Sequence, residues 1–402
     1  MCKVLWAKNT LPKTDDRYLP LMSTTAVESA LAFHRSFPEY AVTPLEHLAG
    51  FAKELGLGGL YVKDESFRFG LNAFKVLGGS FAIGKFVAGQ LRRDISTVDY
   101  VFLTSSEFKN TFSPCTFFTA TDGNHGRGVA WSANRLGQQA VVLMPAGTVK
   151  SRYENIKKLG ANVTIEKLNY DDCVRKAALL SSQIPSSVVV QDTAWEGYEE
   201  IPSHIMQGYG TLIAEAVEQM AQHGVAPTHV FVQAGVGSLA AAVQGYLVNR
   251  FPENPPRVVV MECRAADCFY RSTTAGDGAA QAVGGALDSI MAGLCCGEAS
   301  PIAWDILKNH AAVFCSCEDS VSAAGMRRLS APIAGDPRIV SGESGAVGMG
   351  LIDLLCRSDA YADLRDTLGL DAASQVLLIS TEGDTDPERY RAIVWDGAYP
   401  AE

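Results

Sequence analysis

The segment GVGS at residues 235–238 has the residue types and the surroundings of a phosphate-binding loop. It follows the apolar run HVFVQ at 229–233 and precedes LAAAV at 239–243, so the sequence predicts a strand, a glycine loop and a helix in succession. Glycines let the backbone approach an anion closely, and the first N–H groups of a helix lack acceptors within the helix. The loop is not Gly-x-Gly-x-x-Gly, because Ala240 takes the last glycine position. Tight packing of a helix on a strand explains such glycines equally well.

A second polar segment, TDGNHGRG at residues 121–128, lies between an apolar run at 115–118 and a helix predicted to begin near Val129. Asn124 could hydrogen-bond a phenolic or carbonyl oxygen, and Asp122 could move a proton. The backbone N–H groups of the segment could hold a carboxylate. A turn capped by these two side chains is the alternative, because aspartate and asparagine both favour turns.

The segment LNAFKVLGG at residues 71–79 places Lys75 among apolar residues at the predicted start of a helix. Burial in such a neighbourhood would disfavour the charged ammonium and make the amine a nucleophile. A lysine in this setting more often extends its ammonium group into solvent. The segment alone therefore leaves both roles open for Lys75.

Short apolar runs alternate with amphipathic segments from about residue 60 to residue 260, which predicts an α/β protein with largely parallel sheets. The clearest predicted strands and helices lie at residues 61–63, 140–144, 151–159, 188–190, 212–220 and 376–380. The last of these strands is followed by the polar loop TEGDTD at 381–386. Because ligands of open α/β sheets bind at the carboxyl ends of the strands, this loop is a further candidate binding element. The polar, turn-rich segment at 104–115 is predicted to be a surface insertion, either a lid or decoration.

The chain has 402 residues, 47% hydrophobic and 19% charged, which is typical of a globular protein with two domains. Its formal net charge of -10 disfavours nucleic acid and anionic membranes as partners, since both would repel an acidic surface. The N-terminal sequence has no apolar stretch typical of a secretion signal, so we expect a cytoplasmic protein. Glycines and glutamines interrupt the apolar stretch at 230–248, which predicts a strand and a buried helix and not a membrane span.

The cysteines and histidines do not form a recognisable metal-binding pattern. None of the ten cysteines forms a Cys-x-x-Cys pair, and the seven histidines include no His-Glu-x-x-His arrangement. We therefore expect reduced thiols and no metal site.

Several longer motifs carry a resemblance to a known family. They are KDESFRFGLNAFK at 63–75, TDGNHGRGVAW at 121–131, QDTAWEGY at 191–198 and QAGVGSLA at 233–240, with IMAGL, SGESGAVG and ISTEGDTD in the C-terminal third. Through them the chain resembles the fold type II pyridoxal phosphate enzymes, and within that group the diaminopropionate ammonia-lyases, over nearly its whole length. Threonine and serine dehydratases are less similar, because they have Ser-x-Lys where this chain has NAFK at 72–75. Tryptophan synthase β chains have a His-Lys pair that this chain lacks.

The resemblance implies an α/β fold of type II, with two three-layer αβα domains and the smaller one inserted into the larger. The large domain that binds the cofactor would contain residues 1–89 and 205–402, and the small inserted domain would contain residues 90–204. The cofactor would lie between the domains. The family also implies that the chain forms a homodimer. Its small-molecule partner would be an amino-acid substrate.

The resemblance also assigns roles around the implied cofactor, pyridoxal 5'-phosphate. Lys75 would carry it as a Schiff base, Asn124 would contact its ring hydroxyl, and Thr381 would meet its pyridine nitrogen as a neutral partner. Glu343, in the SGESG motif, would lie near it. The backbone N–H groups that would bind its phosphate belong to Gly235, Val236, Gly237, Ser238 and Leu239.

The implied reaction is the α,β-elimination of D- and L-2,3-diaminopropionate to pyruvate and two molecules of ammonia. Two enantiomers require bases on opposite faces, which would be Lys75 for the L form and Asp122 for the D form. Asp192 would hold the cationic β-amino group, since a buried carboxylate without a partner is costly. The alternative for Asp192 is a helix N-cap near Thr193.

Two other functions stay open on the sequence alone. One is a serine or threonine dehydratase-like enzyme, or another lyase of β-substituted amino acids, with a pocket altered by residues 104–115. The other is a catalytically silent protein that binds pyridoxal phosphate. In such a protein, Lys75 and Asp122 would have no reason to occur together.

Overall fold

The computed structural model describes residues 3–121 and 123–400. Its strands are β1 (Val4–Lys8), β2 (Leu45–His47), β3 (Gly59–Asp64), β4 (Thr116–Ala120), β5 (Gln139–Met144), β6 (Asn162–Ile165), β7 (Ser187–Val189), β8 (His229–Gln233), β9 (Arg257–Cys263), β10 (Val313–Cys317) and β11 (Gln375–Ser380). Strands and helices alternate along most of the chain, which confirms the predicted α/β class.

The helices differ widely in length, from one turn to six. They are α1 (Thr24–Arg35), α2 (Ala49–Leu55), α3 (Val76–Leu91), α4 (Tyr100–Thr104), α5 (Ser106–Thr111), α6 (Asn124–Arg135), α7 (Lys150–Lys157), α8 (Tyr170–Ser182), α9 (Glu200–Gln222), α10 (Ser238–Arg250), α11 (Cys268–Ala275), α12 (Pro301–His310), α13 (Asp319–Ser330), α14 (Val347–Arg357), α15 (Ala362–Leu368) and α16 (Pro387–Val394). In the described part of the chain, no helix has the length and the hydropathy that a membrane span needs.

The chain divides into two compact units. Unit 1 contains Met1–Ser23, Val42–Phe67 and Leu212–Glu402, and unit 2 contains Thr24–Ala41 and Arg68–Thr211. These bounds differ from those of the predicted domains, residues 1–89 plus 205–402 and residues 90–204. Compact units are not by themselves independently folding domains, so the predicted domain division stays a prediction.

Unit 1 is built on a seven-stranded sheet in the order β1-β10-β9-β8-β11-β3-β2. Its inner strands are parallel, and β1 and β2 run antiparallel at the two edges. Because β8 and β11 are parallel neighbours, their carboxyl ends lie at the same edge of the sheet, where Gln233 and Ser380 are the last residues. The strands pack on helices through fully buried residues such as Phe231, Met261 and Val347.

Unit 2 contains a four-stranded parallel sheet in the order β6-β5-β4-β7. Phe118 on β4 and Leu143 on β5 pack against Cys173 and Ala177 of α8 to form its core. The all-parallel arrangement confirms the prediction of largely parallel sheets. It also places residues 121 and 123–128, which follow β4, at the carboxyl ends of the strands, where α/β proteins bind ligands.

The helix predicted to begin near Val129 begins five residues earlier, at Asn124. The prediction was wrong because glycines have low helix propensity, whereas tertiary packing uses them here. A Cβ atom at Gly126 would lie 2.4 Å from Cγ2 of Thr121, and one at Gly128 would lie 2.8 Å from Cα of Val76. The glycines are in the helix because a larger residue would not fit.

The segment at 104–115 lies at the surface in part, as predicted, but it is not an irregular loop. It contains the end of α4 and all of α5, and the side chain of Ser105 caps α5 by accepting a hydrogen bond from the Phe108 N–H. Phe108 is buried and stacks on Phe112. A buried aromatic anchor gives this segment a fixed place in unit 2, and its role as lid or decoration stays open.

Candidate functional site

Lys75 lies immediately before α3, as the sequence predicts. The chain takes an irregular path into this helix. Phe69 and Asn72 both have left-handed backbone conformations, with φ of 50° and 55°. Non-glycine residues adopt this region rarely, and they do so at a cost of about 1–3 kcal/mol each. Surrounding structure therefore has to hold the segment in place, and the fully buried side chain of Arg68 donates a hydrogen bond to the Ala41 carbonyl.

Glycines bring α3 against α6 and against α9 within unit 2. A Cβ atom at Gly79 would lie 3.3 Å from the Gly128 backbone, and one at Gly78 would lie 2.5 Å from the ring of Tyr209. Gly208 approaches α3 in the same way, since its Cβ atom would lie 2.4 Å from the Leu77 carbonyl oxygen. The start of α3, and with it Lys75, is thus fixed by close backbone contacts on two sides.

The Lys75 ammonium donates a very short hydrogen bond to Oδ2 of Asp192 and forms an ion pair with it. Two aromatic rings flank the nitrogen, with the Phe74 centroid 5.5 Å away and the Tyr209 centroid 5.7 Å away. The Lys75 side chain is 21% exposed and the Asp192 side chain is 5% exposed, so the amine is the accessible member of the pair. A partly exposed amine that is paired with a buried carboxylate can contact a ligand. We call Lys75, Asp192, His125 and Tyr209 the lysine cluster.

Asp192 is held ionised by its neighbours. Burial alone would raise the pKa of its carboxyl group, but the charge of Lys75, then His125, and the hydrogen bond from Lys75 outweigh burial and lower the pKa to about 2. His125 lies with Nδ1 3.9 Å from the carboxylate, and its Nε2 is 2.8 Å from the Val190 carbonyl oxygen. A carbonyl oxygen only accepts, so Nε2 carries a proton, and Nδ1 faces Asp192.

Asp192 is not a helix N-cap, because no helix begins near Thr193 and the next one, α9, begins at Glu200. The other polar residues predicted from the same segments lie nearby in the chain. Asn124 is the first residue of α6 and is partly buried. Asp122 lies outside the described residues, so its predicted role stays a prediction.

The predicted strand, glycine loop and helix at residues 229–243 are confirmed in unit 1 as β8, a short loop and α10. Gly237 is the N-cap of α10 and has a φ of +93°, where a side chain is strained. A Cβ atom there would lie 2.4 Å from the ring of Phe269, and one at Gly235 would lie 2.9 Å from the Gly293 carbonyl oxygen. The two glycines therefore serve tight packing, and the role of this loop in phosphate binding stays a prediction.

The loops that carry Glu343 and Thr381 touch each other in unit 1. Gly342 N–H donates to the Glu382 carbonyl at 2.9 Å, and a Cβ atom at Gly345 would lie 3.0 Å from the Thr381 nitrogen. Glu343 and Thr381 are both buried, at 2% and 4% exposed. Thr381 also accepts a hydrogen bond at 2.9 Å from Nε2 of Gln233, which lies two residues before Gly235.

Unit 1 thus brings the glycine loop, Thr381 and the loop of Glu343 together, and unit 2 brings Lys75 and Asp192 together. Within the described residues of unit 1, the buried oxygens that lack a hydrogen-bond partner include Gln233 Oε1, Ser300 Oγ and Ser344 Oγ. Ser300 is tied to the glycine loop, since its N–H donates to the Val236 carbonyl at 2.9 Å. Buried groups of this kind, beside a helix N-terminus that favours anions, fit a ligand with a phosphate group.

Several residues of the candidate site could not be predicted from the sequence. Nothing local distinguishes Gln233, His125 or Tyr209 from ordinary core residues, because each acquires its role from a partner far away in the chain. Ser300 precedes Pro301 at a helix start, which is a familiar capping position, yet its hydroxyl makes no capping hydrogen bond. The missing capping hydrogen bond of Ser300 can be recognised only in the folded structure.

We expect Gly237→Ala to weaken binding of a phosphate-bearing cofactor by at least about tenfold, because the strained φ and the Phe269 contact must displace the loop. Gly276→Ala is a matched control, since Gly276 has a φ of +74° but open space around its Cβ position. Both variants should lower the melting temperature, whereas equilibrium titration with cofactor should show weaker binding for Gly237→Ala alone. Equal affinities in the two variants would exclude a role of this loop in phosphate binding.

Comparisons with known proteins agree on one group of enzymes. A family model described as "Pyridoxal-phosphate dependent enzyme" matches residues 37–368. The diaminopropionate ammonia-lyase of Salmonella typhimurium is 50% identical over 381 residues, which cover 94% of this chain and 94% of that protein.

Two solved structures of the Escherichia coli diaminopropionate ammonia lyase are similar in fold over 99% of this chain and 98% of theirs. One is a complex with D-serine, with a TM-score of 0.92 and 45% sequence identity. The other is a complex with an aminoacrylate-PLP azomethine reaction intermediate, with a TM-score of 0.89 and 45% identity.

Proposed function

The chain belongs to the diaminopropionate ammonia-lyase family of pyridoxal phosphate-dependent enzymes, and we propose that it converts D- and L-2,3-diaminopropionate to pyruvate and ammonia. The family predicted from the motifs is confirmed, and so are the fold type, the cofactor and the class of carbon–nitrogen lyase. The substrate, the roles of individual residues and the assembly are the parts that we propose for this chain.

The observation that carries the proposed substrate is the ion pair between Lys75 and Asp192. It demonstrates that the Asp192 carboxylate can hold a primary ammonium group in a buried position. The β-substituent of diaminopropionate is such a group, whereas the β-hydroxyl of serine is neutral. We infer that Asp192 binds the substrate's β-ammonium in place of the Lys75 ammonium, because leaving a buried carboxylate without a cation is costly.

The cofactor's residues follow from family membership and from the chemistry of this chain's side chains. We propose that Lys75 attaches it covalently, that residues 235–239 bind its phosphate and that Asn124 contacts its ring hydroxyl. Thr381 would meet its pyridine nitrogen, and Glu343 would lie near it. When bound, pyridoxal phosphate supplies an electron sink that stabilises negative charge at the α-carbon of an amino acid.

The chain's own groups must move protons for the elimination to proceed. Lys75, once its amine is free, takes the α-proton from the L enantiomer, and Asp122 takes it from the D enantiomer. The bond between the β-carbon and the β-ammonium nitrogen then breaks, and the nitrogen takes the bonding electron pair and leaves as neutral ammonia. Hydrolysis of the remaining three-carbon product consumes one water and releases pyruvate and the second ammonia, so the atoms balance.

We expect Asp192→Asn to lower kcat/KM for diaminopropionate by about 10² to 10³-fold, because an amide cannot neutralise the β-ammonium. Serine elimination by the same variant is the internal control, since serine has no β-ammonium, and it should change far less. Asp192 is ionised throughout the neutral range, because its pKa is about 2, so this ratio should not depend on pH there. Equal losses for diaminopropionate and serine would mean that Asp192 does not select the substrate.

A substrate panel tests the proposed function against its alternatives. Purified enzyme with bound cofactor is incubated with diaminopropionate, serine or threonine, and the 2-oxo acid product is measured. We expect diaminopropionate to have the highest kcat/KM. A preference for serine or threonine would indicate a dehydratase-like enzyme, and cofactor binding without turnover of any of them would indicate a silent binding protein.

We also propose that the enzyme works in the cytoplasm as a homodimer, as the sequence and the family resemblance predict. Light scattering on the purified protein would give the mass of the assembly, to be compared with the 43.0 kDa of one chain. A single-chain mass at micromolar concentration would contradict the dimer.

A further inference from the structure

Gln233 and Thr381 lie side by side at the carboxyl ends of the neighbouring strands β8 and β11. Both are almost fully buried, at 3% and 4% exposed. Nε2 of Gln233 lies 2.9 Å from Oγ1 of Thr381 and 3.1 Å from the carbonyl oxygen of Ile379. The Gln233 amide nitrogen thus faces two oxygens, the Thr381 hydroxyl and the Ile379 carbonyl.

The Ile379 carbonyl fixes the orientation of the Gln233 amide. A carbonyl oxygen can only accept, so the amide atom 3.1 Å from it must be the nitrogen. Rotating the amide by 180° would place its oxygen against the carbonyl oxygen, which is repulsive, and would leave that carbonyl without this donor. The same nitrogen carries a second proton, and Thr381 is within reach of it.

The Thr381 hydroxyl oxygen therefore accepts from Gln233, and its own proton must point elsewhere. Among residues 3–121 and 123–400, the Thr381 hydroxyl donates no hydrogen bond. A buried hydroxyl proton without an acceptor is destabilising, so a ligand that accepts it binds more tightly. One lone pair of the hydroxyl oxygen is thus occupied, and its proton is available for a ligand that accepts it.

We propose that Gln233 is a positioning residue that turns the Thr381 hydroxyl into a fixed proton donor for the cofactor's pyridine nitrogen. The inference deepens the proposed function, because it rests on the assignment of Thr381 to that nitrogen. A hydroxyl that donates requires a lone pair on the nitrogen, so it favours the unprotonated ring. A protonated ring could donate only to the remaining lone pair and would leave the hydroxyl proton without an acceptor, so Gln233 biases the hydroxyl toward donation.

The chemical consequence is a cofactor ring that stays neutral when the substrate's α-proton is removed. A neutral ring is a weaker electron sink than a protonated ring. When bound, a cofactor with a neutral ring would favour expulsion of the β-substituent over storage of negative charge in the ring. Gln233 would thus favour elimination over reactions that need a long-lived carbanion, acting through the Thr381 hydroxyl.

The test measures the protonation of the ring nitrogen in holoenzyme reconstituted with cofactor labelled with ¹⁵N at that position. The ¹⁵N chemical shift is followed against pH in wild type, Gln233→Met, Thr381→Val and the double variant. We expect Gln233→Met to raise the proton-binding constant of the ring about three- to tenfold, the range that one hydrogen bond is worth. In the Thr381→Val background the same substitution should change nothing, because there is no hydroxyl left to orient.

Gln244→Met is the matched control, because Gln244 is also buried in unit 1 and also has an amide oxygen without a partner among the described residues. It should titrate like wild type. If Gln233→Met does not fold, Gln233→Asn serves instead, since the shorter amide cannot reach both oxygens, and it should shift the titration in the same direction.

Two results would overturn the inference while leaving the assignment of Thr381 intact. In one, Thr381→Val shifts the ring titration and neither Gln233 variant does. In the other, Gln233→Met shifts it equally with and without the Thr381 hydroxyl. A Thr381→Val variant that titrates like wild type would instead overturn the assignment of Thr381 itself and the inference with it. The titration needs no turnover, so failure of diaminopropionate as a substrate would not affect it.

Discussion

Lys75→Ala is expected to lose elimination of both diaminopropionate enantiomers by at least about 10⁴-fold, because we propose that this one side chain supplies both the covalent attachment and a base. The loss should appear in kcat measured by pyruvate release at saturating cofactor. Reduction of wild-type holoenzyme with borohydride, followed by peptide mass spectrometry, should place the cofactor on the peptide that contains Lys75.

Two variants separate this effect from damage to the fold. Lys75→Arg keeps a cation that can pair with Asp192, but guanidinium does not form an imine with a carbonyl group, so this variant should fold and be inactive. Lys85→Ala removes a partly buried lysine from the same helix α3 and should retain wild-type turnover. The assignment would be wrong if Lys75→Ala kept a tenth of the activity, or if borohydride labelled another lysine.

Asp122→Asn is expected to lower the rate with D-diaminopropionate by about 10² to 10⁴-fold and to affect the L enantiomer less. The amide keeps the size of the side chain but cannot accept the α-proton, whereas Lys75 remains available on the opposite face. The measurement is kcat/KM for each pure enantiomer in the same preparation, so each enantiomer controls for the other. Equal losses on both would contradict the assignment of two bases, one for each enantiomer.

Local features of the fold could be predicted because they depend on neighbouring residues. The succession of an apolar strand, glycines and a helix at 229–243 is encoded within fifteen residues, and the structure has it as β8, a loop and α10. The strand before TEGDTD, and the position of Lys75 at a helix start, were predictable for the same reason. The start of α6 was not, because Gly126 and Gly128 are explained by contacts with Thr121 and Val76.

The parts of the site that sequence could not predict join residues that are far apart in the chain. The hydrogen bond from Gln233 to Thr381 spans 148 residues, and the ion pair between Lys75 and Asp192 spans 117. Neither pair has a local pattern, since each depends on which strands and loops become neighbours in the folded unit. The family motifs pointed to Lys75, Asp192 and Thr381 one by one, whereas the physical reason for their roles is in these contacts.

The most direct test of the proposed function is the stoichiometry of the reaction with each pure enantiomer of diaminopropionate. Purified enzyme with bound pyridoxal phosphate is incubated with the D or the L form, and pyruvate and ammonia are measured in the same samples. We predict that both enantiomers are consumed and that each pyruvate is accompanied by two molecules of ammonia. Failure of both enantiomers to yield pyruvate, while the same preparation deaminates serine or threonine, would contradict the proposed function.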